Sequence, residues 1–451
     1  METLPRRLSA GVEPQTAISR DNSIRAFERA HRVFPGGLTR ATIQSNPFPT
    51  YMERGGGAYI TDIDGNDYID LANNFTTLIH GHAFPPVVDA ITRQAALGAC
   101  FGNPTLHELD LAELLIGRVP GMETIRFVNT GTEAVMHAIK AARAYTGRRK
   151  IAKIEGAYHG AYDWAEVSES SNPTNWGGAR PRSVALCKGT PAAVLDDVVV
   201  LPFNDAATTR DILDACAGEL AAILVDPMPS RAGLVPGTQM YFDVLQRAAN
   251  RHGALIICDE VLNFRLSYRG AADRFGLLPD LITLGKIIGG GLPIGAIGGR
   301  ANVMNMFAPG EGGTPTPQGG TFSANPLSMT AGLVSMTHLT ESAFTNLETM
   351  GDRLRSEIRK MFAKSDADMS VTGLGSLFRI HPFQRQPTNY RQAYRSPDAQ
   401  RRLQGFAGHL FQSGVVLAAG GLGALSTAMS DDEIDKIIEA FGEALRFVSK
   451  Q

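Results

Sequence analysis

The middle of the chain repeats one unit. A short, largely apolar run is followed by a segment whose apolar residues return every three or four positions. The runs are Ile125–Val128, Ile151–Ile154, Val198–Leu201, Ala221–Val225, Ala254–Cys258 and Leu281–Leu284. The clearest helical segments among them are Glu133–Tyr145, Thr208–Cys216 and Tyr241–Arg251. A strand without a polar face must be covered on both sides, so this alternation predicts an α/β fold with a mainly parallel sheet between helices. The rhythm changes at both ends of the 451 residues. A short helix over Ser23–Ala30 stops at Pro35-Gly36-Gly37, and Asp64-Gly65-Asn66 joins Ala58–Ile63 to Asp67–Leu71 as a hairpin. After about residue 335, helical segments surround Gly373–His381. A last helix starts at Ser430, whose pairing with Glu433 forms a capping box. These shifts divide the chain into 1–75, an N-terminal contribution to a smaller α+β lobe, 76–335, a large domain, and 336–451, the rest of the small lobe. Gln384–Arg402 carries five arginines and reads as a polar loop or a solvated helix.

Composition removes several classes of function. Lys plus Arg total 43 against 45 Asp plus Glu, a net charge of −2, so no basic face is expected for nucleic acid. The four cysteines form no CxxC pair, which argues against a disulfide framework or thiolate zinc site and fits a reducing, cytoplasmic setting. The N-terminal residues lack the apolar core of a leader, and no apolar stretch approaches the ~20 residues of a membrane helix. His80-Gly81-His82 is the one close histidine pair; it lacks HExxH spacing and reads as a turn, so no metal is expected.

In a sheet of this kind ligands bind beyond the carboxyl ends of the strands. Three segments there carry informative residues. Asn129-Thr130-Gly131-Thr132-Glu133 opens a helix and reads as a phosphate site or an ordinary N-cap. Cys258-Asp259-Glu260-Val261 ends a strand with an acid suited to a metal, a ribose hydroxyl or a protonated ring nitrogen. Thr283-Leu284-Gly285-Lys286 runs into Gly289-Gly290-Gly291, and a lysine there can be desolvated toward nucleophilic use. A nucleotide P-loop would need Gly at 280 and Ser or Thr at 287, where this chain has Asp280 and Ile287. Dinucleotide binding lacks its helix and distant acid. A phosphate cradle, a strand-end acid and a glycine-flanked lysine together suit pyridoxal 5′-phosphate.

The segments Asp259-Glu260-Val261 and Leu284-Gly285-Lys286-Ile287-Ile288-Gly289-Gly290-Gly291-Leu292-Pro293-Ile294-Gly295-Ala296 resemble the signature of class III pyridoxal-phosphate aminotransferases. Within that class the chain is most similar to glutamate-1-semialdehyde aminomutases and related β-amino-acid aminotransferases, from Phe34 to the last helix. The resemblance implies fold type I and a homodimer with shared active sites. It implies Lys286 as the Schiff-base lysine and Asp259 as partner of the ring nitrogen. Val261 would pack on one ring face and Tyr158, in Tyr158-His159-Gly160, on the other, with His159 beside it. Gly131 and Thr132 match the phosphate loop, Thr321 resembles the threonine that serves the neighbouring subunit's phosphate, and Arg40 a carboxylate-binding arginine.

The chain departs from the family in three places. Asp226-Pro227 stands where Glu-Pro is usual, so Asp226 would be a shorter acid near the cofactor. Pro229-Ser230-Arg231-Ala232-Gly233 adds a cation near the site. Gly420 or Gly421 stands where the β-amino-acid enzymes carry a second arginine, which predicts a roomier, less charged pocket unless Arg231 substitutes. The implied activity is transamination of an amino acid or amine, such as a β-amino acid, with a keto acid acceptor by a ping-pong scheme. The alternatives are an intramolecular aminomutase-type shift, an epimerisation, or a catalytically inactive pyridoxal-phosphate-binding protein.

Overall fold

The computed structural model describes residues 18–43 and 47–448. Near the N-terminus, β1 (Met52–Gly56), β2 (Tyr59–Asp62) and β3 (Asp67–Asp70) form an antiparallel meander. The β2–β3 turn follows from its residues. The Asp62 carboxylate accepts the backbone N–H groups of Asp64 (3.0 Å) and Asn66 (2.9 Å), and Gly65 takes φ +87°, where a side chain would be strained.

The central sheet contains β4 (Thr124–Val128), β5 (Lys150–Ile154), β6 (Val198–Leu201), β7 (Leu220–Val225), β8 (Leu255–Asp259), β9 (Leu281–Gly285) and β10 (Gly295–Gly299). Its order is β4-β10-β9-β8-β7-β5-β6. The six expected strands are present, and β5 through β9 pair in parallel. Successive residues enter opposite cores: Ile223 and Ile256 pack on one face, Leu224 and Ile257 on the other. Removing one such side chain to Ala costs about 2–5 kcal/mol. In this sheet the strand that sequence reasoning missed is β10, antiparallel to both β4 and β9. Its glycines weaken the strand signal, yet packing requires them. A Cβ at Gly298 would lie 2.6 Å from Met122 Sδ, and one at Gly295 would overlap the Thr130 carbonyl.

The C-terminal part adds β11 (Ser370–Thr372), β12 (Leu377–His381), β13 (Val415–Val416) and β14 (Leu422–Ala424). β11, β12 and β14 form a three-stranded sheet, while β13 pairs in parallel with β3 and so joins the two chain ends. The last helix, Asp431–Val448, buries Ile434, Ile437, Phe441 and Leu445. It starts where Glu433 reaches back to the Ser430 N–H at 2.8 Å. The arginine-rich stretch bears out the solvated reading at Arg401, 69% exposed in the helix Pro397–Gln412, and corrects it at Arg391 and Arg395. Arg391, in the helical turn Tyr390–Ala393, pairs with buried Glu155 at 2.8 Å and donates to the Gly178 carbonyl at 2.6 Å. Arg395 lies just before the helix Pro397–Gln412 and donates to the Gly420 carbonyl at 2.9 Å. Among the described residues no helix is long and apolar enough to cross a membrane.

Candidate active site

At the carboxyl end of β9 the chain turns abruptly through the 3₁₀ segment Lys286–Gly289. Lys286 has φ +50°, a left-handed conformation that costs a non-glycine residue about 1 kcal/mol or more. The glycines after it are tightly packed: a Cβ on Gly289 would come 2.5 Å from Ile294 Cγ2, and one on Gly290 would overlap the Ala331 carbonyl. Desolvation lowers the pKa of the Lys286 amine, Asp259 and Asp226 oppose this, and Arg265 adds to the lowering.

Asp259 closes β8, the neighbouring strand. Its Oδ1 accepts from Thr283 Oγ1 and the Val261 N–H, each at 3.0 Å, and its Oδ2 meets His159 Nδ1 at 2.7 Å. Burial works against the charge on Asp259. His159, the Val261 N–H and Lys286 outweigh it and hold the carboxyl below its usual range. Burial depresses His159 as well, which favours the neutral imidazole, with Nδ1–H toward Asp259, while Nε2 is buried without a partner. Oδ2 therefore retains acceptor capacity beyond the His159 bond.

Asp226 follows β7 and receives the Met228 N–H at 2.9 Å and the Asn263 amide. Burial, then the charge of Asp259, push its pKa up to about 8. An unfolded Asp releases its proton near pH 4, so between about pH 4 and 8 only the folded chain holds it. This group's contribution to stability therefore falls as pH rises through that window. Asp226→Asn should gain stability over the parent progressively from pH 4 to 8 in thermal melts of the cofactor-free protein. Parallel curves would contradict the assignment.

The phosphate-loop candidate is the N-terminus of the helix Gly131–Thr146. Thr130 Oγ1 accepts the Glu133 N–H at 3.1 Å, and Glu133 accepts the Asn129 N–H at 2.9 Å. This leaves the first-turn amides of Gly131 and Thr132 without intrahelical partners. A Cβ on Gly131 would lie 2.8 Å from Val261 Cγ1, and one on Gly160 (φ +87°) would overlap Thr132 Oγ1. The structure thus brings together Gly131, Thr132, His159, Asp259, Val261 and Asp226 around Lys286. Tyr158 borders them with its ring half exposed, and the Arg231 guanidinium stands 5.5 Å from the ring centroid.

The remaining candidates lie differently. Arg231 is engaged by buried Glu169 at 2.9 Å and Ser170 Oγ at 2.9 Å. Thr321 is exposed on a loop that passes Asn129 of its own chain, since a Cβ on Gly320 would sit 3.2 Å from Asn129 Nδ2. Arg40 is exposed at the turn Ala41–Ile43, and among the described residues no hydrogen bond or ion pair ties its guanidinium to the Lys286 network.

The sequence model for the family described as aminotransferase class-III matches residues 41–445. The chain belongs to the class-III aminotransferases. This aminotransferase is 38% identical over 438 residues to glutamate-1-semialdehyde 2,1-aminomutase 2 of Bacillus licheniformis, covering 96% of this chain and 99% of that protein. Its fold matches an omega-transaminase from Sphaerobacter thermophilus with a TM-score of 0.91 and 45% identity, over 97% and 98% of the two chains. A transaminase solved with PLP bound matches at a TM-score of 0.89 and 39% identity, over 96% and 99%. The fold-type-I architecture expected from the sequence is the one present.

Several residues of this aminotransferase site escaped sequence reasoning. Asn263 and Thr283 support Asp226 and Asp259, but short polar residues beside a strand give no distinctive signal. Lys153 had one: a lysine inside an otherwise apolar, doubly covered strand. It is fully buried, and its Nζ donates to the carbonyls of Ala157 (3.1 Å) and Val167 (2.7 Å), pinning the turn before Tyr158. Burial pulls its pKa down to about 7. The expectation of a less charged pocket at Gly420 is overturned. Arg379 and Arg395 converge there from other elements, because glycine leaves the space.

Proposed function

We propose that this class-III aminotransferase is a cytoplasmic, pyridoxal-5′-phosphate-dependent transaminase that carries an amino group from an amino acid or amine to a separate keto acid. The observation that carries the reading is Lys286, held in left-handed backbone with its amine influenced by Asp259, beside a helix N-terminus with free amides. The residues present fit the cofactor. Asp259 Oδ2 keeps an acceptor site, Tyr158 offers an open ring face, and glycine at 131 allows close approach to Val261. When bound, pyridoxal phosphate supplies the electron sink for a Cα carbanion.

The protein's own groups do the rest. Asp259, kept ionised, holds a proton on the ring nitrogen, and His159 orients it through Nδ1. Lys286 Nζ, its basicity reduced by desolvation, takes the substrate Cα proton and returns it during each half of the exchange. Val261 and Tyr158 bracket the ring, and the amides of Gly131 and Thr132 hold the phosphate. Asp226, neutral near pH 7, presents a carboxylic acid toward the same site. Arg40 grips a donor carboxylate, and Arg231, shared with Glu169, stands over Tyr158 as a second cation for the substrate. Residues 76–335 form the cofactor domain, and the described residues of 1–75 and 336–451 the small domain that completes the pocket; 1–17, 44–46 and 449–451 of that division lie outside the described residues. The identity with an omega-transaminase supports transfer between two substrates, and the aminomutase relatives support the rival intramolecular shift. Acceptor stoichiometry separates them. Transamination consumes one keto acid per amine product, and turnover without acceptor would overturn the reading. In the same assay a donor panel should show Arg40→Leu losing carboxylated donors more than simple amines.

The unit is a homodimer in which Thr321 serves the phosphate of the partner subunit. Phe101 and Phe322 are exposed apolar residues beside the Cys100–Thr321 contact, a surface suited to burial by a second copy. Mixing inactive Lys286→Ala and Thr321→Ala chains should restore one working site per hybrid dimer. Hybrids that form yet stay inactive would refute the shared site. Free cysteines at 100, 187, 216 and 258 suit the reducing cytoplasm.

A further inference from the structure

The segment between β13 and β14 passes through Gly420 at φ +82°, and two guanidinium groups close on it. A Cβ there would lie 3.2 Å from Arg379 Nη2 and 3.3 Å from both terminal nitrogens of Arg395. The two cations thus flank one point, although they come from β12 and from the segment before the helix Pro397–Gln412. Arg379 is 92% buried, being only 8% exposed, and donates through Nη1 to the Ser230 carbonyl and to Ser230 Oγ (3.0 Å). Arg395 donates through Nη1 to the Gly420 carbonyl. Among the described residues neither guanidinium forms an ion pair with a carboxylate. The charges acting on Arg379 are Arg395 and Arg231; those on Arg395 come from Arg231, with the Tyr390 hydroxyl as its other titratable neighbour. Burial, then Arg395 and Arg231, pull the pKa of Arg379 down to about 9. Like charges withdrawn from water without a counter-ion are unfavourable in the free protein and favourable once an anion joins them. Glycine at 420 keeps the space between them free of a side chain.

The pair is also continuous with the active site. Ser230, held by Arg379, precedes Arg231, and Arg231 stands over Tyr158. A guanidinium fork matches a carboxylate through paired N–H donors.

We propose that Arg379 and Arg395 form a carboxylate subsite that selects a dicarboxylic keto acid as amino acceptor, holding the carboxylate farther from the reacting carbonyl. This rests on the transaminase reading above and names the acceptor class for that site. The subsite stands where the sequence predicts a missing arginine. Its two cations arrive from sequence positions that a comparison at 420 alone overlooks.

The test compares 2-oxoglutarate with pyruvate as acceptor for the holoenzyme and for Arg395→Gln and Arg379→Gln. The ratio of kcat/KM for 2-oxoglutarate to that for pyruvate should fall about 10- to 100-fold in each variant, the loss of a charge-assisted pair. An unchanged ratio, whether both acceptors lose equally or neither does, would overturn the subsite. Arg379 also supports Ser230, so Arg379→Gln can fail to fold. Arg395→Gln, less deeply buried, then decides alone. Calorimetric titration of the holoenzyme with glutarate, a dicarboxylate with no keto group, gives a readout independent of turnover. Arg395→Gln should weaken glutarate binding about tenfold or more. If no keto acid is consumed but glutarate binding still weakens, the transaminase reading fails and the subsite stands. If both acceptors are consumed and glutarate binds parent and variant equally, the subsite fails and the reading stands.

Discussion

Lys286→Ala is expected to lower steady-state turnover by about 10⁴-fold or more, the upper range for removing a positioned proton-transfer group, compounded by loss of the covalent anchor. The backbone argues that this loss is chemical. Alanine must adopt the same left-handed φ of +50°, so the strain of the turn persists and folding should change little. The cofactor should still bind, because Asp259, the Gly131 and Thr132 amides and the ring-packing residues are untouched. Small primary amines added to the variant should recover part of the rate. A Lys286→Ala protein that completes many turnovers without added amine would remove Lys286 from the chemistry.

Asp259→Asn is the second large effect, about 10²–10³-fold in both half-reactions, comparable with removing one preorganised electrostatic partner. Asparagine preserves the size and can still accept the Val261 N–H and the Thr283 hydroxyl. It lacks the charge that keeps a proton on the ring nitrogen, and its amide competes with the Nδ1–H of His159. The pH profile supplies a readout that a packing role would not move. The negative charge of Asp259 raises the pKa of Lys286, so its removal lets the amine lose its proton more readily. The acid limb that reports Lys286 should shift to lower pH. Unchanged rates in both half-reactions, with an unmoved acid limb, would count against Asp259 as the ring-nitrogen partner.

The central strands were legible because double coverage demands apolar residues at nearly every position, a pattern no surface segment imitates. β10 was not, since three of its five residues are glycines required by Thr130, Met122 and the Asp280 carbonyl pressing against it. The candidate residues Asp259, Lys286, Gly131 and Thr132 stand out in the sequence because strand ends and small-residue turns punctuate it. The left-handed conformation of Lys286 was not legible, because a non-glycine residue with positive φ has no local sequence signature. The arginines between 384 and 402 misled for a related reason. A run of arginines usually marks a solvated face, and only tertiary structure brings Arg391 to Glu155 and Arg395 to Gly420. The proposed work of Thr321 crosses a subunit boundary, so its own chain's contacts do not display it.

The central claim is that Lys286 is the lysine that anchors the cofactor and moves the substrate proton. Lys153 is the instructive competitor, a second lysine removed from water, with its pKa pulled down to about 7 by burial. Its Nζ is already committed to the carbonyls of Ala157 and Val167, whereas Lys286 is influenced by the charge of Asp259. Borohydride reduction of the holoenzyme, followed by peptide mapping, tests this directly. The pyridoxyl group should be found on the peptide that carries Lys286 and on no other. A label on Lys153, or on any lysine other than Lys286, would contradict the account.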